Sequence, residues 1–175
     1  MDTTYETKHK WFWAWQDEKE EAWLSEKARE GLHLETVSLG SYKFRKGEPA
    51  NYVYRLDYQA FRSKEKESYL QIFEDAGWEL VGEMSGWVYF RIKAGTGESP
   101  EIFNDAESKM GKYQRVIMYL VIFLPIMMIL RPSGVDQYGT FSIIVEALFA
   151  LLFLLYTFAM VQLFRRMNQL KRKKV

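Results

Sequence analysis

The 175-residue chain contains no cysteine, two histidines and four prolines. Without cysteine there is no disulfide, no thiol nucleophile and no thiolate ligand set for zinc or iron–sulfur chemistry. That composition suits a reducing compartment. His9 and His33 are isolated and lack a recurring carboxylate pattern, so no metal site is expected from them. The spacings GxSxG, HExxH, GxxxxGK[ST] and GxGxxG are all missing. Paired acids such as Glu20-Glu21 and Glu74-Asp75 read as solvated helix faces or caps. No catalytic residue, cofactor or metal is therefore expected, and the chain does not read as an enzyme.

Basic charge is also scarce where nucleic-acid binding would need it. Residues 1–100 hold 14 Lys/Arg against 18 Asp/Glu, a net of −4, whereas residues 101–175 hold 10 against 5, a net of +5. Phosphate binding depends on neutralising cations, so the acidic part is a poor nucleic-acid partner.

What the C-terminal third has is long apolar runs. Residues 116–130 (VIMYLVIFLPIMMIL) carry no charge, and residues 141–164 carry one, Glu146. A bilayer-spanning helix needs roughly 20 apolar residues. The second run meets that length. The first reaches it only if residues 111–115 join, with Lys112 and Arg115 snorkelling. Neither run offers a polar face. The expected layout is a domain over 1–94, a linker and juxtamembrane helix over 95–110, and a membrane helix over 111–131. A short external loop (132–140), a second membrane helix (141–164) and a basic tail (165–175) follow. Lys/Arg flank the outer ends of the pair, so both termini are expected in the cytoplasm of a two-pass membrane protein. The apolar part of residues 11–15 is too short for a signal peptide. Pro125 removes one backbone bond from the first span. Lys171, Arg172, Lys173 and Lys174 read as a topology anchor that also favours anionic lipid.

Periodicity in the first hundred residues gives strand, helix, two strands, helix, two strands. Strand one is expected at 7–16, a helix capped by Asp17 runs to Glu30, and Gly31 ends it. A long strand at 32–44 turns at 46–49 and returns at 51–60. A second helix begins near Ser63 and ends at Gly77, and a last hairpin turns at Ser85-Gly86. This order predicts an α+β fold, a ferredoxin-like βαββαβ sandwich with an extra C-terminal hairpin strand, followed by a two-helix transmembrane hairpin.

Aromatics are the other surplus. On an extended strand, Trp11, Trp13 and Trp15 share one face and Phe12 and Ala14 the other. Together with Tyr52, Tyr54 and Trp87 they are expected to form an aromatic sheet face that binds an apolar ligand or a partner protein. The competing expectation is a core of large residues plus a sheet face buried against a second protomer or the chain's own linker helix. Glu146, the one intramembrane carboxylate, lies near a helix N-terminus, where the helix dipole alone accounts for it.

Three segments resemble the bacterial family catalogued as domain of unknown function 2812: KHKWFWAWQDEKEEAWL, FEDAGWELVG and GWVYFRI, with DAESKMGKY before the membrane. The resemblance spans about residues 7–113. It implies a membrane-linked regulatory or stress-response role, because members are often encoded beside PadR-type regulators. It carries no catalytic residues. The expected function is a membrane-anchored cytoplasmic interaction or sensory module in a bacterial cell membrane, with membrane lipids and a protein or homo-oligomeric partner. An accessory subunit of a transport or resistance system, using the two-helix hairpin and Glu146, is the alternative. A cofactor-free enzyme on an α/β sandwich is a third reading.

Overall fold

The computed structural model describes residues 4–59, 63–95, 106–129 and 140–172. They fall into two units, Met1–Asn104 and Asp105–Val175. In the first unit the order is β1 (Tyr5–His9), α1 (Asp17–Arg29), β2 (Leu32–Ser38), β3 (Ser41–Lys46), β4 (Tyr52–Tyr58), α2 (Ser63–Asp75), β5 (Glu79–Met84) and β6 (Trp87–Lys93). The class is α+β, with two small antiparallel sheets ordered β1-β3-β2 and β4-β6-β5.

The sheet pattern departs from one ferredoxin-like sheet for a local reason. The expected strand 32–44 folds back at Leu39-Gly40, where Gly40 takes φ +67° and Ser38 pairs with Ser41. That turn makes two strands of one, and β1 then pairs antiparallel with β3. The two sheets meet at β2 and β5. There the backbone of Gly82 approaches Val37 so closely that a Cβ would lie 3.4 Å from its side chain. Arg91 on β6 reaches across to the Leu34 carbonyl at 3.4 Å.

Helix α1 covers the free edge of β4. Glu21 Oε1 accepts from the Leu56 N–H (2.9 Å), Ser25 Oγ from the Tyr54 N–H (3.4 Å) and the Ala28 carbonyl from the Ala50 N–H (3.0 Å). For Glu21 and Ser25 the match is geometric: side chains one helical turn apart, about 5.4 Å, meet the N–H groups of Leu56 and Tyr54, two strand residues or about 6.7 Å apart. Unpaired edge groups would otherwise invite another strand. The N-terminal residue before the helix is Gln16, whose side chain does not cap it, and Asp17 is the first helical residue, 2% exposed.

Two cores result. One joins Trp23, Leu24, Leu34, Phe44, Tyr54, Leu56 and Tyr89; the other joins Phe73, Trp78, Val88 and Phe90. Phe73 and Phe90 stack with centroids 4.1 Å apart. Helix α2 ends as its sequence predicts: Gly77 adopts φ +83°, and the Trp78 N–H bonds the Phe73 carbonyl at 2.9 Å. The β5–β6 turn has positive φ at both Ser85 and Gly86, the geometry of a tight two-residue hairpin.

The second unit contains α3 (Ala106–Ile129) and α4 (Thr140–Arg172). Tyr156 donates to the Leu120 carbonyl at 3.0 Å and Arg166 to the Tyr113 hydroxyl at 3.3 Å, so the helices run antiparallel. Among the described residues one helix, Ile143–Arg172, is long and apolar enough to cross a membrane. Of the two expected spans, this is the one that qualifies. The apolar run of α3 begins only at Val116 and reaches about 22 Å at 1.5 Å per residue, short of a hydrocarbon core of about 30 Å. The loop expected at 132–140 lies outside the described residues, apart from Thr140.

Candidate functional site

The segment between β1 and α1 builds the site. β1 stops pairing at His9, opposite Ser41, because β3 begins there. The Lys10 N–H still reaches the Gly40 carbonyl at 3.1 Å, but the following residues have no strand beside them. They turn instead, with the Gln16 N–H bonded to the Trp13 carbonyl at 2.7 Å. The expected strand 7–16 is therefore Tyr5–His9 plus a loop, and the three tryptophans stand on that loop rather than on a sheet face.

In the loop, Phe12 faces inward against Trp23 (5.6 Å) and Tyr42 (6.3 Å). Trp13 and Trp15 stack with centroids 5.2 Å apart and planes 4° from parallel, and Trp11 meets Trp13 edge-on at 5.7 Å. Trp11 is 53% and Trp13 44% exposed. Trp11 lies over Gly40, where an added Cβ would come within 3.3 Å of the indole. The positive φ at that position favours glycine.

Beneath the loop is a recess of about 40 Å³. Trp11, Phe12, Trp13, Met84 and Trp87 form walls, and Asp17, Glu20, Tyr42 and Tyr89 supply its polar groups. Glu20 is 7% exposed, and its Oε1 accepts hydrogen bonds from the hydroxyls of Tyr42 (2.7 Å) and Tyr89 (2.8 Å). Burial raises the Glu20 carboxyl above its ordinary value, the two hydroxyls pull it back, and the neighbouring Asp17 adds to the rise. Burial and the adjacent carboxylate push both tyrosines up, which keeps them protonated.

The sequence expectation for Glu20-Glu21 is thus corrected: both are buried, and each takes partners. Glu21 serves β4 and pairs with Arg55 at 3.3 Å. Asp17, Glu20, Glu21, Leu24 and Ala28 form one buried stripe at three- and four-residue spacing. That spacing was the signal available in the sequence.

The expected binding residues do not converge on one face. Trp11, Trp13 and Trp87 share the recess. Trp15 extends the stack on the loop. Tyr54 is fully buried and its hydroxyl accepts from the Leu34 N–H, so it belongs to the core. Tyr52 lies at the other end of β4, opposite Lys93, with His33 edge-on at 5.6 Å and the Arg91 guanidinium over its ring at 5.0 Å. Burial lowers Arg91, but its paired bonds to Glu79 (2.7 and 2.8 Å) more than reverse this. Glu146 is exposed on the second turn of α4. Lys171 and Arg172 are exposed at the end of α4, and Lys173 and Lys174 lie outside the described residues.

Fold and site define a small α+β domain with an aromatic-walled recess, followed by a helical unit that presents apolar surface. The chain belongs to the family described as protein of unknown function (DUF2812), whose model matches residues 16–125. That span includes Glu20, Tyr42, Trp87 and Tyr89 and leaves out Trp11 and Trp13. No curated protein and no solved structure matches the chain.

Proposed function

We propose that this protein is a membrane-anchored interaction or sensory module, with α4 held in the bilayer and the recess of the α+β domain as its binding site. The observation that carries the reading is the apolar surface of the second unit. On α4, Ile143, Leu151, Phe153, Leu154 and Phe158 are each more than half exposed, and on α3 Met118, Val121, Ile122 and Phe123 are too. Contiguous apolar surface of this extent requires lipid or protein cover. In this reading α3, antiparallel to α4, enters the bilayer with it, and the flanking Lys/Arg hold both termini in the cytoplasm. The recess supports ligand or partner binding because Trp11 and Trp13 are about half exposed at its mouth, whereas Trp23, Tyr42, Phe44 and Tyr89 behind them are buried.

Native mass spectrometry of protein released from membranes tests the binding role. Wild type is expected to carry a bound mass that a folded Trp11/Trp13/Trp15→Ser form lacks. Identical ligands and identical co-purifying partners from both forms would count against it. The exposed carboxylate of Glu146 within the apolar run favours a second reading, an accessory subunit of a transport system. One such helix pair cannot enclose a pathway, so that role needs oligomers. Unchanged export or drug resistance in Glu146→Gln would remove its one specific residue.

A further inference from the structure

We infer that the outer edge of β1 pairs antiparallel with β1 of a second copy of this chain, in a register centred on Thr7. The inference is independent of what fills the recess.

β1 ends its sheet, and among the described residues only β3 pairs with it. The edge of β4 is covered by α1, and the two sheets meet at β2 and β5. The phase of the β1–β3 ladder shows which groups β1 turns outward. The Lys46 N–H bonds the Thr4 carbonyl at 2.9 Å, and the Lys10 N–H bonds the Gly40 carbonyl at 3.1 Å. Bonded pairs in an antiparallel ladder recur at every second residue. Thr4, Glu6, Lys8 and Lys10 therefore turn their backbone groups toward β3. The N–H and C=O groups of Tyr5, Thr7 and His9 point away from the sheet. An edge of this kind is a template for another strand.

Charge selects the strand. Centred on Thr7, an antiparallel copy sets Thr7 against Thr7, Tyr5 against His9 and Glu6 against Lys8. Outward groups then meet outward groups, so the Thr7–Thr7 and Tyr5–His9 pairs each exchange two backbone bonds. Glu6 and Lys8 fall at the intervening positions, where facing side chains come closest. Centring on Glu6 or on Lys8 instead sets that residue against its own copy. A parallel copy in register does both at once. Glu6 already pairs with Lys8 at 2.6 Å and with Lys46 at 3.1 Å, so the match fills no vacancy. It is the register in which like charges do not oppose each other. Lysine on an edge ordinarily keeps other strands away. The alternation here exempts a copy of itself. On the other face Tyr5, 45% exposed, gains the facing His9 ring.

One five-residue strand pair is small beside a standard protein interface, so the dimer is expected to be reversible and is best trapped covalently. The chain has no cysteine, so an introduced thiol reports one position. Bonded pairs place their Cα atoms about 5.5 Å apart, within the roughly 4.4–6.8 Å that a disulfide spans.

The experiment is copper–phenanthroline oxidation of whole lysate from cells expressing the full-length protein, read on a non-reducing gel. Thr7→Cys is expected to give a disulfide dimer. Tyr5→Cys and His9→Cys are each expected to stay monomeric, and to form a mixed dimer when co-expressed with tags of different length. Thr7→Pro removes an outward N–H without taking a bond from β3. Added to both cysteine forms, it is expected to abolish the mixed dimer with the melting temperature unchanged. Should proline disturb the fold, a charge exchange in the Thr7→Cys background decides. Glu6→Lys or Lys8→Glu alone opposes like charges at both crossings and is expected to lose the dimer; co-expressed, the two are expected to regain it. A monomeric Thr7→Cys protein, equal dimer from all three single cysteines, or a mixed dimer that persists in a folded Thr7→Pro protein overturns the inference. Charge variants that cross-link alone as well as together overturn it too.

Discussion

Glu20 is the position at which a single atom's change has the most readable consequence. Its Oε1 holds the hydroxyls of Tyr42 and Tyr89, which are 2% and 0% exposed. Glu20→Ala strands both. A buried hydroxyl without a partner costs about 1–3 kcal/mol, so the pair costs about 2–6 kcal/mol, less whatever water entering the recess restores. Glu20→Gln retains the acceptor and removes the charge that burial opposes, so its stability at neutral pH is expected within about 1 kcal/mol of wild type, or above it. The sign of the pH dependence follows from the raised carboxyl. The folded state binds the Glu20 proton more tightly than the unfolded chain. Wild-type stability therefore falls as pH rises from the ordinary carboxyl value of 4.5 through the folded one, and is flat beyond. Glu20→Gln loses that slope, and its advantage vanishes at acid pH. Urea denaturation in mild detergent, followed by tryptophan fluorescence from pH about 4 to about 8, measures both curves. A Gln variant more than about 2 kcal/mol less stable at neutral pH, or a gap that widens toward acid, would refute the reasoning.

Glu21→Ala opens the edge of β4 by orphaning the Leu56 N–H and is expected to lower stability by about 1–3 kcal/mol, with Glu21→Gln markedly milder in the same denaturation assay. Gly31 has φ +81°, and an added Cβ would sit 2.4 Å from the Gly47 carbonyl oxygen, so Gly31→Ala is expected to cost about 2 kcal/mol or more in thermal melts. Leu154, 66% exposed near the centre of the apolar run, becomes expensive as arginine: insertion of α4 is expected to weaken by about 2.5–3.5 kcal/mol in a glycosylation-mapping assay.

Local chemistry made the helix ends and the last hairpin legible. Gly31, Gly77 and Ser85-Gly86 do what their positions in the sequence predict. The Leu39-Gly40 turn was hidden because the partial alternation of 32–44 runs through it, and only Gly40 marks the break. Missing that turn also misplaced the tryptophans. Their strict alternation resembles a strand, yet the length of β1 is set by where β3 begins, a tertiary fact that local pattern does not contain. Trp11, Trp13 and Trp87 were legible as binding candidates, whereas Tyr52 and Tyr54 were drawn in by alternation that here serves the core. Glu20 reads as a solvated or capping acid because an acid in a first helical turn already has a sufficient local explanation in the helix dipole. Only its place on the stripe with Leu24 and Ala28 told otherwise.

The central claim is that lipid covers the apolar surface of α3 and α4. Washing membranes from cells expressing the full-length protein with alkaline carbonate tests it directly. The account predicts that the protein stays in the pellet and is released only by detergent. Recovery as a monodisperse soluble species without detergent would contradict it.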